Sequence, residues 1–275
     1  MSGFDRLEAD GILLLGCGKM GSAMMEGWLA AGLSPASIHV IDPNPSARLR
    51  ALEKEGLHLN APIPESPALC LVAVKPQMMG EALPAIAALG GGGTLVVSIA
   101  AGTTLAQFER TFGPDTPIIR TMPNTPAAIG EGITAMVGNA RTDAADLDLA
   151  ETVLSAIGQT VRLASEDQID AVTGVSGSGP AYVFHMIECL AAAGVAEGLP
   201  ADMAMQLAKA TVRGAGLLAS AAEGDPAQLR ANVTSPNGTT QAGLAVLMDE
   251  NHGLPPLIRA TVAAAAARSR ELSED

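Results

Sequence analysis

GILLLGCGKMG, residues 11–21, is the stretch that decides the fold. An apolar run leads directly into Gly16, Gly18 and Gly21, which have the spacing G-x-G-x-x-G, and a helical pattern follows. A buried strand, a glycine turn and a helix in that order direct backbone N–H groups and a helix N-terminus at an anion. The stretch therefore predicts a site for a dinucleotide pyrophosphate; a purely structural glycine turn is the alternative.

Strand-like and helix-like patterns alternate around this stretch and beyond it. Predicted strands cover residues 11–15, 37–41, 69–74, 94–99, 118–122, 133–137 and 160–163, and predicted helices cover residues 20–31, 46–55, 78–88, 105–112 and 144–156. Such alternation implies βαβ units with right-handed crossovers. We predict an α/β fold in which residues 1–164 form a dinucleotide-binding domain, with a Rossmann-type, doubly wound, mostly parallel sheet.

Strand patterns end after residue 163, and the rest of the chain has helical patterns only. The predicted helices cover residues 166–173, 180–196, 202–222, 226–233, 240–250 and 256–272, and Ser165 with Gln168 has the spacing of a capping box. We predict an all-α C-terminal domain over residues 165–275 for substrate binding and oligomerisation. Because its helices are rich in alanine, each offers a shallow apolar face, and packing on a second subunit would supply the missing burial. At least a homodimer is expected.

Composition excludes several classes of protein. The 275 residues are 48% hydrophobic, enough for a large core, and the formal net charge of −13 argues against a nucleic-acid partner. The chain has three cysteines, Cys17, Cys70 and Cys189, and an odd number favours reduced thiols in a cytoplasmic protein. Residues 1–10 lack the pattern of a signal peptide, and the apolar stretch 180–195 is too short for a membrane segment, so none is expected.

Other loops after predicted strands extend the candidate cofactor site. Asp42 follows the second strand about 20 residues after the glycines, where a carboxylate contacts a ribose hydroxyl. It favours NAD, whereas Asn44, Ser46 and Arg48 are suited to the 2′-phosphate of NADP; both stay open. The candidate cofactor residues are Leu15, Gly16, Cys17, Gly18, Lys19, Met20, Gly21, Asp42, Asn44, Ala73, Val74, Lys75, Pro76, Ile99, Ala100, Ala101 and Asn124. For the loops after the later strands, ordinary βα connections are the alternative.

Two glycine-bearing loops lie in the helical half. SPNGTT, residues 235–240, stands between helical patterns. Because it opens a helix, its backbone N–H groups can bind a small carboxylate. SGSGPAY, residues 176–182, leads into a helix with a proline in its first turn. Its hydroxyls and its backbone at the glycines can contact nicotinamide or substrate. Alternatively, the glycines allow the helix to pack closely against the first domain, and the two roles are compatible.

Four motifs resemble those of the pyrroline-5-carboxylate reductase family. They are AVKPQ from Ala73, MPNTP from Met122, IDAVTG from Ile169 leading into SGSGPAY, and VTSPNGTT from Val233. The resemblance runs in order from Gly11 to about Leu272, and it implies reduction of 1-pyrroline-5-carboxylate to L-proline by NADPH or NADH, the final step of proline biosynthesis. One departure is Asn237, where the family has glycine; asparagine tolerates a left-handed φ, so the loop can keep its shape.

The resemblance also implies roles for residues of the substrate site. The N–H groups of Thr239 and Thr240 receive the substrate carboxylate, and the Thr240 hydroxyl bonds the ring nitrogen, which makes Thr240 the candidate catalytic residue. The implied substrate-binding set is Glu166, Asn232, Ser235, Gly238, Thr239 and Thr240. Glu223, near the end of a predicted helix, is a weaker candidate for orienting the Thr240 hydroxyl or for favouring the cationic form of the imine; a solvated helix end is its alternative.

The remaining candidates are assigned ordinary roles. His39, His58, His185 and His252 are expected to pack or to lie at the surface, and no cluster has the spacing of metal ligands. A hydroxyacid dehydrogenase would usually need a Lys or His acid beside the substrate carbonyl, and none of the four lysines, Lys19, Lys54, Lys75 and Lys209, lies on the helix that follows residues 176–179. That enzyme and a non-enzymatic dinucleotide-binding module remain the competing functions.

Overall fold

The computed structural model describes residues 3–274 and divides into two compact units. The first comprises the chain up to Gly177 together with the stretch from Ala265, and the second comprises Ser178–Ala264. The boundary that the sequence predicts after residue 164 stays a prediction. In the structure, the residues between 165 and 177 and the end of the last helix belong to the unit that holds the sheet.

An eight-stranded sheet forms the centre of the first unit. The strands are β1 (Ile12–Leu15), β2 (Ile38–Ile41), β3 (His58–Leu59), β4 (Leu69–Val72), β5 (Leu95–Ser98), β6 (Ile118–Met122), β7 (Gly132–Gly138) and β8 (Gly158–Arg162), in the order β3-β2-β1-β4-β5-β6-β7-β8. The chain runs from β1 outward through β2 to β3 and then returns to β4 on the other side of β1. This reversal between β1 and β4 is the switch point at which open α/β sheets bind ligands. The predicted doubly wound sheet is confirmed.

The pairing of β7 with β6 is the one antiparallel pairing among the described strands, and β8 pairs parallel with β7, so both β7 and β8 run opposite to the first six strands. Residues 123–131 join β6 to β7 through a 3₁₀ turn at Thr125–Ile129. A parallel return requires a crossover of about a dozen residues or more, so this short connection forces the chain to reverse. Its loop then stays at the same edge of the sheet as the ends of the parallel strands.

The helices of the first unit cover both faces of the sheet. They are α1 (Gly3–Asp10), α2 (Lys19–Ala30), α3 (Ala47–Glu53), α4 (Met79–Ala82), α5 (Leu105–Phe112), α6 (Ala144–Leu154) and α7 (Gln168–Val172), with a π-helical turn at Thr173–Gly177. Leu14 and Trp28 belong to the apolar cluster on one face, and Leu13 and Phe108 to the cluster on the other. Adjacent strand residues point to opposite faces, so the fully apolar β1 fits a strand buried on both sides.

Three details of the first unit differ from the sequence-based expectations. Helix α1 was not predicted, and neither was β3. The predicted helix over residues 78–88 is only four α-helical residues long and continues as a 3₁₀ helix at Leu83–Leu89, where Pro84 removes a backbone donor.

The predicted capping box at Ser165 is also wrong in part. Gln168 Oε1 accepts hydrogen bonds from Ala164 N and Ser165 N, so the glutamine half of the box forms. The Ser165 side chain does not cap the helix: α7 begins after Asp167, which makes no side-chain capping bond either. The helix therefore starts two residues later than the box would place it.

The second unit is helical, as predicted. Its helices are α8 (Gly179–Ala196), α9 (Ala201–Ala221), α10 (Pro226–Asn232) and α11 (Thr239–Leu247), followed by α12 (Leu254–Glu274), whose last part from Ala265 belongs to the first unit. In that last part Ala266 and Ser269 are buried, and Ser269 Oγ donates to Asp170 Oδ1 at 2.6 Å. The end of the chain is thus part of the packing of the first unit.

One described helical stretch, Gln168–Ala196, is long and apolar enough to cross a membrane when judged by length and composition alone. Its 29 residues include an 18-residue window with a mean hydropathy of 1.2. It is longer than the apolar stretch expected from the sequence, because the π-helical turn joins α7 to α8. A single helix of this kind is weak evidence for a membrane segment, since helices that pack against protein pass the same test.

Candidate functional site

The glycine loop after β1 is held at the sheet edge by close backbone contacts. Gly16 has φ +85° and lies against the end of β4, so an added Cβ would come within 2.8 Å of Val74 Cγ1. A Cβ on Gly21 would lie 2.6 Å from Gly16 O. These two glycines are required by the tightness of the turn and by the approach of α2 to it.

Gly18 is different, because open space surrounds the position of its missing side chain. An added Cβ would meet nothing within 4 Å, and as the residue before α2, Gly18 makes no side-chain capping bond to the helix. The first turn of α2 thus presents N–H groups beside an open space, the arrangement that binds a pyrophosphate. The loop therefore fits a dinucleotide by an observation independent of the motif.

Asp42 closes the other side of this loop. Its Oδ2 accepts a hydrogen bond from Cys17 N at 2.7 Å, and its Oδ1 accepts one from Asn44 N, also at 2.7 Å. Burial raises the pKa of the Cys17 thiol, and the Asp42 and Glu26 carboxylates raise it further, so both acids lie within electrostatic range of the loop. The thiol stays protonated at neutral pH.

Sequence reasoning missed the residues that hold this corner. The Asn60 side chain pairs with the backbone of Asp42, donating from Nδ2 to Asp42 O at 2.9 Å and accepting from Asp42 N at 3.0 Å. Arg48 on α3 forms two hydrogen bonds with Glu26 on α2, from Nε at 2.8 Å and from Nη2 at 3.1 Å. Nothing in the local sequence signals either contact, because each joins segments that only the fold brings together.

The later predicted loops lie at the same edge of the sheet. Ala73 N donates to Leu15 O at 2.8 Å, and Ile99 N donates to Val72 O at 3.1 Å, so the loops after β4 and β5 continue the pairing of their strands. Lys75 precedes a 3₁₀ turn at Pro76–Met78. Asn124 begins the turn after β6 and accepts from Ile133 N at 3.0 Å, so its side chain braces that turn. Residues 15–21, 42–44, 73–76, 99–101 and 124 thus share one end of the sheet.

Glu166 lies in the first unit, whereas the other predicted substrate residues lie in the second. Its Oε1 accepts from Arg120 Nη1 at 2.7 Å and from Leu105 N, the first residue of α5, at 2.9 Å. The Arg120 side chain is buried, with 4% exposed. Glu166 therefore has a structural task, because it neutralises a buried guanidinium.

The loop of residues 235–240 forms a tight turn before α11. Gly238 N donates to Ser235 O at 3.0 Å, and Asn237 has φ +58°. Asparagine adopts the left-handed conformation, as expected for the residue that replaces glycine. Gly238 makes no side-chain cap, so the first N–H groups of α11, at Thr239 and Thr240, are presented without one. Nearby on α10, Asn232 Oδ1 accepts from Gln228 Nε2 at 2.8 Å.

The remaining candidates have the following surroundings. His39 and His58 stack with ring centroids 4.3 Å apart, and His185 Nδ1 lies 2.9 Å from Glu188 Oε2 on an exposed helix face. The three cysteines are free. Residues 3–274 contain no group of three or more His, Cys, Asp or Glu side chains arranged to hold a metal ion. Gly177 lies against Met122, which supports the packing role of that glycine.

A glycine loop at the switch point of a mostly parallel sheet, joined to a helical unit, defines a two-domain dinucleotide-binding protein of the oxidoreductase type. Residues 11–102 match the family model described as NADP oxidoreductase, coenzyme F420-dependent, and residues 166–272 match the one described as pyrroline-5-carboxylate reductase dimerisation. The chain belongs to the pyrroline-5-carboxylate reductase family.

Relatives and solved structures that carry this name are similar along most of the chain. The reductase of Pseudomonas aeruginosa is 38% identical over 96% of this chain and 97% of its own length, and that of Synechocystis is 48% identical over 74% of each. The structure of the Coxiella burnetii reductase has a TM-score of 0.89 at 33% identity, covering 96% of this chain and 98% of its own. That of Plasmodium falciparum, with NADP bound, has a TM-score of 0.80 at 26% identity and covers 97% and 99%.

Proposed function

We propose that this chain reduces 1-pyrroline-5-carboxylate to L-proline with NADPH or NADH, the final step of proline biosynthesis. The observation that carries the proposal is the presence of two helix N-termini whose N-cap residue is a glycine, so that their first N–H groups have no side-chain cap. One, at α2, opens beside Gly18, and the other, at α11, follows the turn at Asn237. Each suits an anion, the first a pyrophosphate and the second a small carboxylate. Membership of the reductase family supports the assignment of both.

The first unit supplies the cofactor site in this proposal. The first turn of α2 holds the pyrophosphate, Asp42 and Asn44 face the adenosine ribose, and the loops after β4, β5 and β6 line the nicotinamide end. Bound NADPH or NADH supplies the hydride. The chain's own task there is to fix the ring against the substrate carbon, and the stiff Pro76 and the braced Asn124 suit that task.

The substrate site is proposed to centre on the loop of residues 235–240. The N–H groups of Thr239 and Thr240 receive the carboxylate, and Ser235, Gly238 and Asn232 shape the pocket. A cyclic imine protonated on nitrogen is already electrophilic, so the protein must mainly hold it and retain one proton. The Thr240 hydroxyl has too high a pKa to be an independent acid, so we assign it the role of positioning the nitrogen and conducting a proton from water. Glu166 is proposed to border this pocket, and Glu223 stays a weaker candidate for it.

The second unit is proposed to form the subunit interface. Large apolar side chains are exposed along its helices, among them Phe184, Leu190, Leu207, Leu217, Leu218, Val246 and Leu247. Large apolar side chains exposed in this number on one helical unit favour an interaction surface, and residues 166–272 match a dimerisation model. We propose a homodimer or a higher homo-oligomer that covers these side chains, including those on the apolar stretch Gln168–Ala196.

We also propose a cytoplasmic location. The family's role in amino-acid biosynthesis supports it, and so do the three free thiols, of which Cys189 is exposed. Fractionation of cells that express the chain tests this, since recovery with the membrane fraction after a carbonate wash would contradict it.

Steady-state kinetics test the proposed reaction. The purified chain should oxidise both reduced cofactors, or one of them, when given 1-pyrroline-5-carboxylate. It should oxidise neither with 2-oxo acids, and it should not reduce NAD+ or NADP+ with 2-hydroxy acids. Turnover with the oxo acids instead would favour a hydroxyacid dehydrogenase. Cofactor binding without turnover of any of these substrates would favour a binding module.

The placement of the cofactor has its own test. Gly18→Val fills the open space beside α2, so dinucleotide affinity should fall at least about tenfold in a folded protein, because a side chain then occupies the volume of the pyrophosphate. Gly214→Val serves as the control: Gly214 also has no neighbours within 4 Å of an added Cβ and no positive φ, but it lies on α9. Unchanged affinity in Gly18→Val would contradict the placement.

A further inference from the structure

The adenosine end of the cofactor site contains a cation that is already paired. Arg48 on α3 binds Glu26 on α2 through two parallel hydrogen bonds of 2.8 and 3.1 Å. A two-pronged guanidinium–carboxylate pair is the geometry that arginine also uses for phosphate. While it binds Glu26 in this way, Arg48 has both of those donors occupied.

The other two residues suited to a 2′-phosphate have contacts that leave their side-chain donors unoccupied in the described structure. Ser46 caps α3, because its side chain accepts from Leu49 N at 3.2 Å. Asn44 N donates to Asp42 Oδ1, and the second oxygen of Asp42 is held by Cys17 N. Of the three residues that the sequence offers to NADP, Arg48 is therefore the one whose side-chain donors are occupied in the described structure.

The charges near the glycine loop also disfavour a 2′-phosphate. Both Asp42 and Glu26 act electrostatically on Cys17, which places two carboxylates near the glycine loop. Arg48 neutralises Glu26, and its pairing is tight enough to lower the pKa of that carboxyl. The contacts described for the Asp42 carboxylate are with the backbone N–H groups of Cys17 and Asn44 and are not ion pairs, so its negative charge remains beside the proposed position of the ribose. A phosphate there would add like charge at short range, while a free 2′-hydroxyl can donate to the carboxylate.

We propose that the chain selects NADH over NADPH, and that Glu26 determines this selectivity by occupying Arg48. The inference rests on the proposed function, since it concerns the same dinucleotide site. Glu26 and Arg48 are about half exposed, so the pair can reorganise when its charge balance is altered. Removing the carboxylate should therefore release Arg48 for a phosphate without disturbing the glycine loop.

The experiment measures dissociation constants for NADH and NADPH by titration calorimetry, together with kcat/KM for each with 1-pyrroline-5-carboxylate. The wild-type chain should bind NADH at least about tenfold more tightly than NADPH. Glu26→Gln should improve NADPH binding by about tenfold, the scale of one charge-assisted hydrogen bond, and leave NADH binding unchanged. The double change Glu26→Gln with Arg48→Ala should lose that gain.

Glu55→Gln is the matched control. Glu55 acts on Arg48 electrostatically but forms no hydrogen bond with it in the described structure, so its removal changes net charge equally without releasing the guanidinium. An equal gain for NADPH in this control would overturn the role of Glu26. Tighter NADPH binding by the wild-type chain would overturn the proposed selectivity. Failure to bind either cofactor would instead overturn the proposed function.

Discussion

At the scale of single residues, Thr240 carries two separable groups. Its backbone N–H belongs to the first turn of α11, while its hydroxyl belongs to an exposed side chain. Thr240→Ala and Thr240→Val remove only the hydroxyl, the second with the bulk retained. The loss of a hydrogen bond to a charged group costs about 1.5 to 3 kcal/mol, so kcat/KM for the imine should fall roughly ten- to hundredfold in both variants.

Cofactor affinity provides the control for Thr240, because the two proposed sites use different helices. Dissociation constants for NADH should stay near those of the wild-type chain in both variants. Full kcat/KM across neutral pH in Thr240→Ala would show that the loop of residues 235–240 is not the substrate site, and Glu223 would be tested next.

Glu166 is the residue for which structural and substrate roles must be separated. Glu166→Ala leaves the buried guanidinium of Arg120 without its partner, which should lower the free energy of unfolding by on the order of 3 kcal/mol. Urea unfolding measures this, with Asp167→Ala as a control, since that neighbouring carboxylate is exposed and caps nothing. A higher KM for the imine with unchanged stability would show a substrate contact in place of the structural one.

The role of a single residue could be predicted from the sequence where its contacts are with near neighbours in the chain, and not where they are with distant segments. The roles of Gly16 and Gly21, and the left-handed φ of Asn237, follow from local backbone geometry and were predicted. Asn60 holding Asp42, Glu26 holding Arg48 and Arg120 holding Glu166 were not predicted. Each of these joins side chains from elements that are brought together only by the completed sheet and its helices.

At the scale of elements, the edge pair β2 and β3 carries two stacked imidazoles. His39 and His58 are register partners, and burial, with a smaller effect from His58, lowers the pKa of His39. The unfolded chain therefore binds a proton at this position more readily than the folded one. Stability should fall as the pH decreases through about 6.5, the ordinary value for histidine, and should stop falling from this cause once the lower folded pKa is passed.

His39→Phe tests this prediction, because it retains a ring for stacking and removes the titrating group. Denaturant unfolding between pH 5 and 8, roughly the range over which histidine titrates, should show a shallower loss of stability in acid than the wild-type chain shows. His252→Gln, a change at an exposed position after α11, is the comparison. Identical pH profiles for His39→Phe and the wild-type chain would contradict the prediction.

The sequence predicted long elements better than short ones. β6 and α5 have the predicted bounds, since an apolar strand or an amphipathic helix of that length carries its own pattern. β3 consists of two residues and exists through its pairing with β2, so nothing within it distinguishes it from a loop. The antiparallel direction of β7 follows from the length of its connection, which becomes informative only once both strands are known to be neighbours.

At the scale of the whole molecule, α12 serves both units. Ending the chain after Gly253 removes this helix, including Ala266 and Ser269, which are buried in the first unit. We expect loss of the oligomer and loss of activity, since apolar faces on both units would become exposed. Sedimentation velocity and the imine assay measure these effects, and a chain lacking only residues 274–275 is the control. A soluble, active monomer from the longer truncation would contradict the proposed assembly.

The chain crosses between the two units twice, once after Gly177 and once before Ala265. In chain connectivity, the second unit is thus inserted between two segments of the first. The dimerisation model, by contrast, matches residues 166–272 as one continuous segment. A protease that cuts once at the earlier crossing would leave two fragments, and the shorter would still carry the end of α12 that bonds to Asp170. The first unit is therefore built from both fragments of such a cut chain. We expect the two fragments to stay associated, because the end of α12 packs in the first unit.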